Sequence, residues 1–465
     1  MSSFPSSAVR GALVLAVMST GVVQLRAAAD DADAEIKALR EEIRRLDDRL
    51  RQLEQKQQLK EQETAAAAKA APQVTITDRG FTLASGDGAN SVSIRGLVQF
   101  DSRLFFHDGG LANNSFLLRR ARPIIEGTFG RIYSFQFVPE FGGTAAPSIL
   151  DANFGVAPGK ALQFKFGKFK APVGLELLQS DSWTFFNERT LVTNLVPNRD
   201  IGAQVSGSLR DAAVVYTAGV FNGVADGAST TNADFDNDKD VIGRLWLQPW
   251  RSDKESPLQG LAFGGAAGVG REKTTAGLTA GYKTDGQQTF FKYRAGAVAD
   301  GAAWRWAPQL DYRKGPFGAM AEYVISTVNA RPAIGAAKMQ VQNKAWQFSA
   351  GYVLTGESSS YPGIVPNQPF NWENRTWGAW EIVVRYANLK IDNRAFPLLA
   401  DPAANANQAT AVGFGVNWFL SRIAMLKFDY YQTKFGFNAA GAAAPSVPNL
   451  RQDEQALISR LQLSF

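Results

Sequence analysis

Arginine and lysine recur on the polar side of several stretches in which polar and apolar residues alternate. Arg95, Arg103, Lys165, Lys292, Arg294, Arg305, Arg385 and Arg460 occupy such positions. The acids on that side are fewer: Asp101, Glu126, Asp311, Glu381 and Asp429. Guanidinium offers an anion a bidentate fork and ammonium offers a point charge, so a row of these groups can replace part of an anion's hydration. No nucleophile or general base is needed for that. In residues 161–170 the apolar side is Leu162, Phe164 and Phe166. A bulge at Gly167 would turn Lys168 and Lys170 to the side of Lys165 and leave Phe169 opposite.

Other chemistries find less support. The 465 residues contain no Cys and one His, which removes disulfides, thiolate metal sites and cysteine nucleophiles. His107 could join Asp101 and Ser102 in a hydrolytic set, but it stands at a strand end before Asp108-Gly-Gly110 and reads as a loop residue. Asp234, Asp236, Asp238 and Asp240 repeat at calcium-loop spacing. Lys239 sits where Gly is needed and no Glu closes the loop, which excludes an EF-hand and leaves only a weak divalent-ion contact at a rim. The bases alternate with aromatics and form no nucleic-acid motif. No enzyme, metal site or cofactor is expected.

The elements that position these residues follow from periodicity. Residues 1–29 read as a signal peptide, with Arg10, an apolar run and Ala27-Ala28-Ala29 before Asp30. Ile36, Leu39, Ile43, Leu46, Leu50 and Leu53 alternate three and four apart, so 30–69 is expected to be a helical coiled coil in the periplasm. Residues 70–90 lead into the next segment. From Val74 the period becomes two. Ser91–Phe106 puts Val92, Ile94, Val98, Phe100, Leu104 and Phe106 on one face, with Ser93, Arg95, Gln99, Asp101 and Arg103 on the other. Stretches 161–169, 289–299, 303–312, 377–390 and 423–434 repeat the pattern.

No apolar run beyond the amino terminus reaches the ~18 residues a membrane helix needs. A membrane β-barrel remains, because inward polar residues dilute each strand's hydropathy. The alternation marks about seventeen candidate strands, and bacterial barrels use even numbers, so sixteen are expected over 91–465. Short turns should fall on one rim and long loops, such as 225–240 and 356–375, on the other. Residues 170–199 lack alternation and are expected to form a constriction loop. That loop carries Asp181 and Glu188 beside Arg189 and Arg199, so it is not purely basic. Leu457, Leu461, Leu463 and Phe465 share one face of the last strand. A terminal aromatic there looks like the signal read by the barrel-assembly machinery.

Several segments together resemble the phosphate- and polyphosphate-selective porin family. They are Phe116-Leu-Leu-Arg-Arg-Ala-Arg-Pro123, Gly167-Lys-Phe-Lys-Ala-Pro-Val-Gly-Leu-Glu176, Asn222-Gly223, Gly378-Ala-Trp-Glu381 and Asn417-Trp418. The resemblance implies a homotrimer of sixteen-stranded all-β barrels in a Gram-negative outer membrane, in contact with its lipid. It implies a third loop folded inward and a basic pore for phosphate, pyrophosphate or polyphosphate. It also adds Arg119, Arg120 and Arg122 to the anion pathway, although a regular strand cannot turn both Arg119 and Arg120 inward. The rival expectation is a structural envelope protein whose coil tethers the membrane and whose barrel is mainly an anchor.

Overall fold

The computed structural model describes residues 15–106, 112–143, 145–231, 234, 236–274, 278, 281–437 and 453–465. Side chains are described from Ala34 onward, apart from 63 and 65–70 in the helix. Residues 1–14 of the expected signal peptide, and His107, lie outside what is described. The chain divides into two compact units, Met1–Ala71 and Pro72–Phe465.

The first unit is one helix, Leu15–Ala70. Its seam residues, from Ile36 to Leu53, are all exposed along the single helix. A coiled coil would need a second helix to cover them.

The second unit opens with a hairpin, Gln73–Thr77 and Gly80–Ala84, and continues as a closed antiparallel barrel of 16 strands. The first eight are Ser91–Phe106, Ser115–Phe129, Tyr133–Glu140, Ser148–Gly159, Leu162–Lys170, Arg199–Leu209, Val214–Phe221 and Asp240–Leu247. The second eight are Leu261–Lys273, Val298–Lys314, Phe317–Arg331, Met339–Val353, Ala379–Lys390, Gln408–Phe419, Ala424–Gly436 and Asp453–Ser464. Each pairs with its sequence neighbours, and the last pairs with the first, Leu97 opposite Ser464 through Phe106 opposite Gln455. Closure leaves no strand edge for lipid, the condition a spanning sheet must meet.

Alternation sets the two surfaces. On the first strand Ile94, Val98, Phe100, Leu104 and Phe106 are exposed outward, whereas Gln99, Asp101 and Arg103 are buried inside. At the last strand Leu461, Leu463 and Phe465 face out and Arg460 and Gln462 face in. The chain ends by pairing Phe465 with Gly96 through two backbone bonds of 2.8 and 3.0 Å. Just beyond, the hairpin takes up the ladder, with Phe81 opposite Ile94 and Leu83 opposite Val92. Ile76, Phe81, Ile94, Ile125 and Phe137 thereby form one apolar row across five strands.

Two expectations need correction. Residues 289–299 are not one barrel strand. Thr289–Phe291 pairs with Tyr282–Lys283 in a separate two-stranded sheet, and only Val298 and Ala299 belong to the wall, where they begin the tenth barrel strand. Phe290, Phe291 and Tyr293 are all buried in an apolar cluster with Phe396, Leu399 and Ala406, so the aromatics fold back among loops instead of facing lipid. Long connections also do not keep to one rim. Connections 222–239 and 274–297 lie on one rim, but 354–378 lies on the other, with the short turns.

A side chain at position 96 would run into Phe465, whose ring lies where a Cβ would stand. The terminal aromatic thus fits a slot made by glycine. Deleting Phe465 should lower the yield of folded, heat-modifiable barrel in outer-membrane extracts while export continues. Undiminished folded yield would show that closure does not depend on this pair.

Candidate functional site

The segment between Lys170 and Arg199 leaves the fifth barrel strand and folds into the barrel. Most of its residues are buried, including Ala171, Val173, Phe185, Phe186, Leu191 and Val196. Its main chain is held by inward groups of distant strands. Asn187 N–H donates to Asp429 at 2.5 Å, Leu175 N–H to Glu322 at 2.8 Å, and Lys427 Nζ to the Thr184 carbonyl at 2.7 Å. The connection 354–378 reaches the same loop from the opposite rim. Tyr361 Oη donates to the Leu175 carbonyl at 2.7 Å, and Gln179 Nε2 donates to the Tyr361 carbonyl at 2.9 Å.

Loop carboxylates gather the arginines. Glu188 accepts from Arg103 at 2.8 Å, Arg119 at 2.6 Å and Arg460 at 3.0 Å. Asp101 supports the same group from the wall, 3.0 Å from Arg103 and 2.6 Å from Arg460. Asp181 pairs with Arg122 and Arg189 and lies 3.3 Å from Arg120. Glu140 takes Arg122 at 2.5 Å, and Asp151 lies 3.6 Å from Arg199. Burial by itself would raise both loop acids. The surrounding guanidiniums prevail and hold Asp181 and Glu188 well below the usual carboxylate range.

A bulge explains how adjacent arginines share the interior. Gln99 pairs with Arg120 and Phe100 with Leu118, so Arg119 is the extra residue. Phe116 and Leu118 stay outside, and Arg119, Arg120 and Arg122 all reach loop or wall acids inside. Adjacent side chains share a side because the strand is locally irregular, which the one-to-one alternation excluded.

These groups border a cavity of about 810 Å³ between the early strands, the loop and residues 281–288. Its lining includes Arg103, Arg119, Arg120, Arg122, Arg189, Arg199 and Lys283, against Glu140, Asp181, Glu188 and Asp226. Seven bases face four acids along the lining, with Asp101 and Asp151 behind Arg103 and Arg199. Asn194, Asn198, Thr284, Gln287 and Gln288 add polar groups.

The remaining expected residues lie elsewhere. Arg95 pairs with Glu126 at 2.8 Å toward the short-turn rim. Arg305 is caged by Asp226, Glu272 and Asp240 at 2.9, 2.8 and 3.4 Å. Arg385 bonds Glu176 at 2.5 Å, stands 3.6 Å from Asp285 and stacks on Phe186. Both therefore tie connections to the wall. Lys292 is exposed and Arg294 donates to the Pro397 carbonyl, on a loop and not on the wall where alternation put them.

None of Lys165, Lys168 and Lys170 borders the cavity. Lys168 Nζ donates to the Thr230 carbonyl at 2.7 Å, Lys170 Nζ to the Gln179 carbonyl at 2.9 Å, and Lys165 lies over the Phe169 ring. The strand keeps its register past Gly167 on both sides, without the expected bulge. Gly167 instead takes φ +110°, which turns the chain without adding a residue. Phe169, expected outside, is buried against Phe221 and the loop. Among the acids near Asp238, Lys239 Nζ bonds Asp234 at 2.6 Å, and among the described residues no cluster has the make-up of a metal site.

The profile of the family described as phosphate-selective porin O and P matches residues 92–465. Porin O of Pseudomonas aeruginosa is 26% identical over 396 residues, covering 78% of this chain and 87% of that protein. Among solved structures, the outer membrane channel DcaP of Acinetobacter baumannii covers 82% of this chain and 98% of its own, at 12% identity and TM-score 0.50. The trimer form of OmpT, an outer membrane protein of Vibrio cholerae, covers 81% and 100% at 11% identity and TM-score 0.47.

Two substitutions check this network. Glu188→Gln leaves three guanidiniums without their shared charge. Breaking a buried ion pair costs about 3–5 kcal/mol, so the temperature at which the folded barrel unfolds on a gel should fall clearly. An unchanged unfolding temperature would mean the loop is held by its backbone bonds alone. Asp285, in the connection 274–297, is fully buried, and burial pushes it up to about 7 against the pull of Arg385. Its folded-state value exceeds the unfolded one near 4, so the folded barrel binds the proton more tightly, and this contribution fades as pH rises from about 4 to 7. Asp285→Asn should therefore flatten the wild-type loss of thermal stability between pH 5 and pH 8. Parallel profiles for the two proteins would assign that loss to other groups.

Proposed function

This chain belongs to the phosphate-selective porin O and P family and is an outer-membrane porin, and on that premise we propose that it is a passive anion-selective channel for phosphate, pyrophosphate or polyphosphate. The observation that carries the proposal is the excess of bases over acids around the cavity beside the constriction loop. A unit anion about 6 Å from one uncompensated cation gains roughly 3 kcal/mol at an effective dielectric of 20, before salt screens it. A cation is disfavoured by as much. The pathway in this reading runs past Arg103, Arg119, Arg120, Arg122, Arg189 and Arg199.

Pairing with loop carboxylates tempers each arginine. Several moderate sites in series suit transport, because an ion must also leave. Multivalent phosphates would draw on more than one guanidinium at once, and the bidentate fork matches their oxygens. The short-turn rim would face the periplasm, as in other bacterial barrels. Assembly as a homotrimer of barrels is the arrangement the family resemblance implies, and a coil between helices of neighbouring copies would cover the exposed seam.

Reversal potential in a planar bilayer under a salt gradient tests the reading directly. The wild type should favour anions, and phosphate should block part of the chloride current. Arg119→Gln should weaken both effects more than the combined Lys165→Gln, Lys168→Gln and Lys170→Gln, since only Arg119 borders the cavity. A closed or non-selective wild-type barrel would return the protein to the rival role of membrane anchor. A larger effect of the lysines would place the permeation path along the fifth strand.

A further inference from the structure

The connection 354–378 has two halves with different surroundings. Its first half enters the barrel, where Glu357, Ser359 and Ile364 are buried and Tyr361 meets the constriction loop. Its second half does the opposite. Residues 370–377 form a tight reversal outside the wall, closed by paired backbone bonds of 3.0 and 3.1 Å between Asn371 and Thr376. Arg375 takes φ +52° there, and Asn374 N–H bonds the Asn371 side chain at 3.0 Å.

This reversal displays aromatics instead of hiding them. Trp372 is 76% exposed and Trp377 is 52% exposed, both unusually high for indole. Trp380 and Trp418 are cross-strand partners stacked at 4.8 Å. They alternate with inward Glu381 and Asn417, so they stand on the outer face, in line with outward Ile382 and Val384. Phe370 packs edge-on against Trp418 at 5.5 Å and lies 5.8 Å from Trp377, which is 6.2 Å from Trp372. Trp418 Nε1 donates to the Trp377 carbonyl at 2.6 Å, and Phe370 N–H to the Leu420 carbonyl at 2.6 Å. The reversal is thus stapled to the outside of the thirteenth and fourteenth barrel strands. Its aromatics continue the outward apolar rows to the short-turn rim.

We propose that residues 370–377 are an interfacial anchor, seated in the phospholipid leaflet on the short-turn side of the membrane. Indole is apolar in body and carries one N–H, which places Trp at the level of lipid headgroups. Asn371, Glu373, Asn374 and Arg375 are exposed at the tip, beside the Trp pair, where headgroup phosphates and water would meet them. Continuity with the outward rows selects lipid over a soluble partner. The anchor also lies on the same connection as Tyr361. A segment that touches the constriction loop at one end is therefore held by the bilayer at the other.

The chain has no Cys, so a single introduced thiol reports on one position. Full-length Glu373→Cys, labelled with an environment-sensitive fluorophore, is placed in phosphatidylethanolamine and phosphatidylglycerol vesicles. Lys254→Cys, on another exposed connection of the same rim, serves as the water-exposed control. The label at 373 should be quenched several-fold more by a nitroxide lipid than by aqueous iodide, and the control should show the reverse. Adding Trp372→Ser and Trp377→Ser should shift the 373 label toward iodide access while the barrel still folds and conducts. Iodide access equal to the control would overturn the anchor. Protection from both quenchers would mean protein covers the reversal, which overturns it equally. Neither result would touch the channel reading, which rests on the bilayer currents.

Discussion

The carboxylate of Glu188 is the point on which the interior depends. Three guanidiniums meet it: Arg103 and Arg119 from the first two barrel strands, and Arg460 from the last. Those strands form the seam where the sheet closes. One buried anion therefore ties the inserted loop to the barrel's closure. Without those acids, arginines buried by the loop would stand side by side as like charges at low dielectric. The acids make a dense basic cluster tolerable, and along the cavity lining they are fewer than the bases.

The loop is held from several directions because one ion-pair cluster could not fix thirty residues. Asp429, Glu322 and Lys427 bond its main chain from the far strands, and Arg385 clasps Glu176 while stacking on Phe186. Tyr361 arrives from the other rim. A loop inside a barrel has no ladder partner for its backbone, and buried N–H and C=O groups must still be satisfied. Inward polar side chains of the strands supply the partners. This is why so many inward residues are amides and carboxylates rather than a uniform basic coat.

The apolar side of the interior follows from the same need to fill space. Phe290, Phe291, Tyr293, Phe396 and Leu399 come from connections and pack against inward Ala307, Ala345 and Ala387 of the wall. Small residues on the wall make room for large ones on the loops. The open volume is left beside the early strands, where the wall carries arginine.

The strand period by itself determined the barrel. Side chains of a strand alternate with period two, so the outward set of Ser91–Phe106 and the outward Leu461, Leu463 and Phe465 could be read from spacing alone. The break in alternation marked residues 170–199 as the inserted loop for the same reason. Tertiary structure decided what alternation does not encode. The bulge at Arg119 and the positive φ of Gly167 each change a side chain's direction through one local dihedral choice, set by the neighbouring strand. Residues 289–299 alternate like a strand, but their aromatics bury against loops that adjoin them only in three dimensions. The worth of each arginine was also beyond the sequence. Arg119 and Arg305 are the same residue type, yet one lines a cavity and the other is closed in by three acids. A charge acts through its distance to other charges, and those distances exist only once the chain has closed.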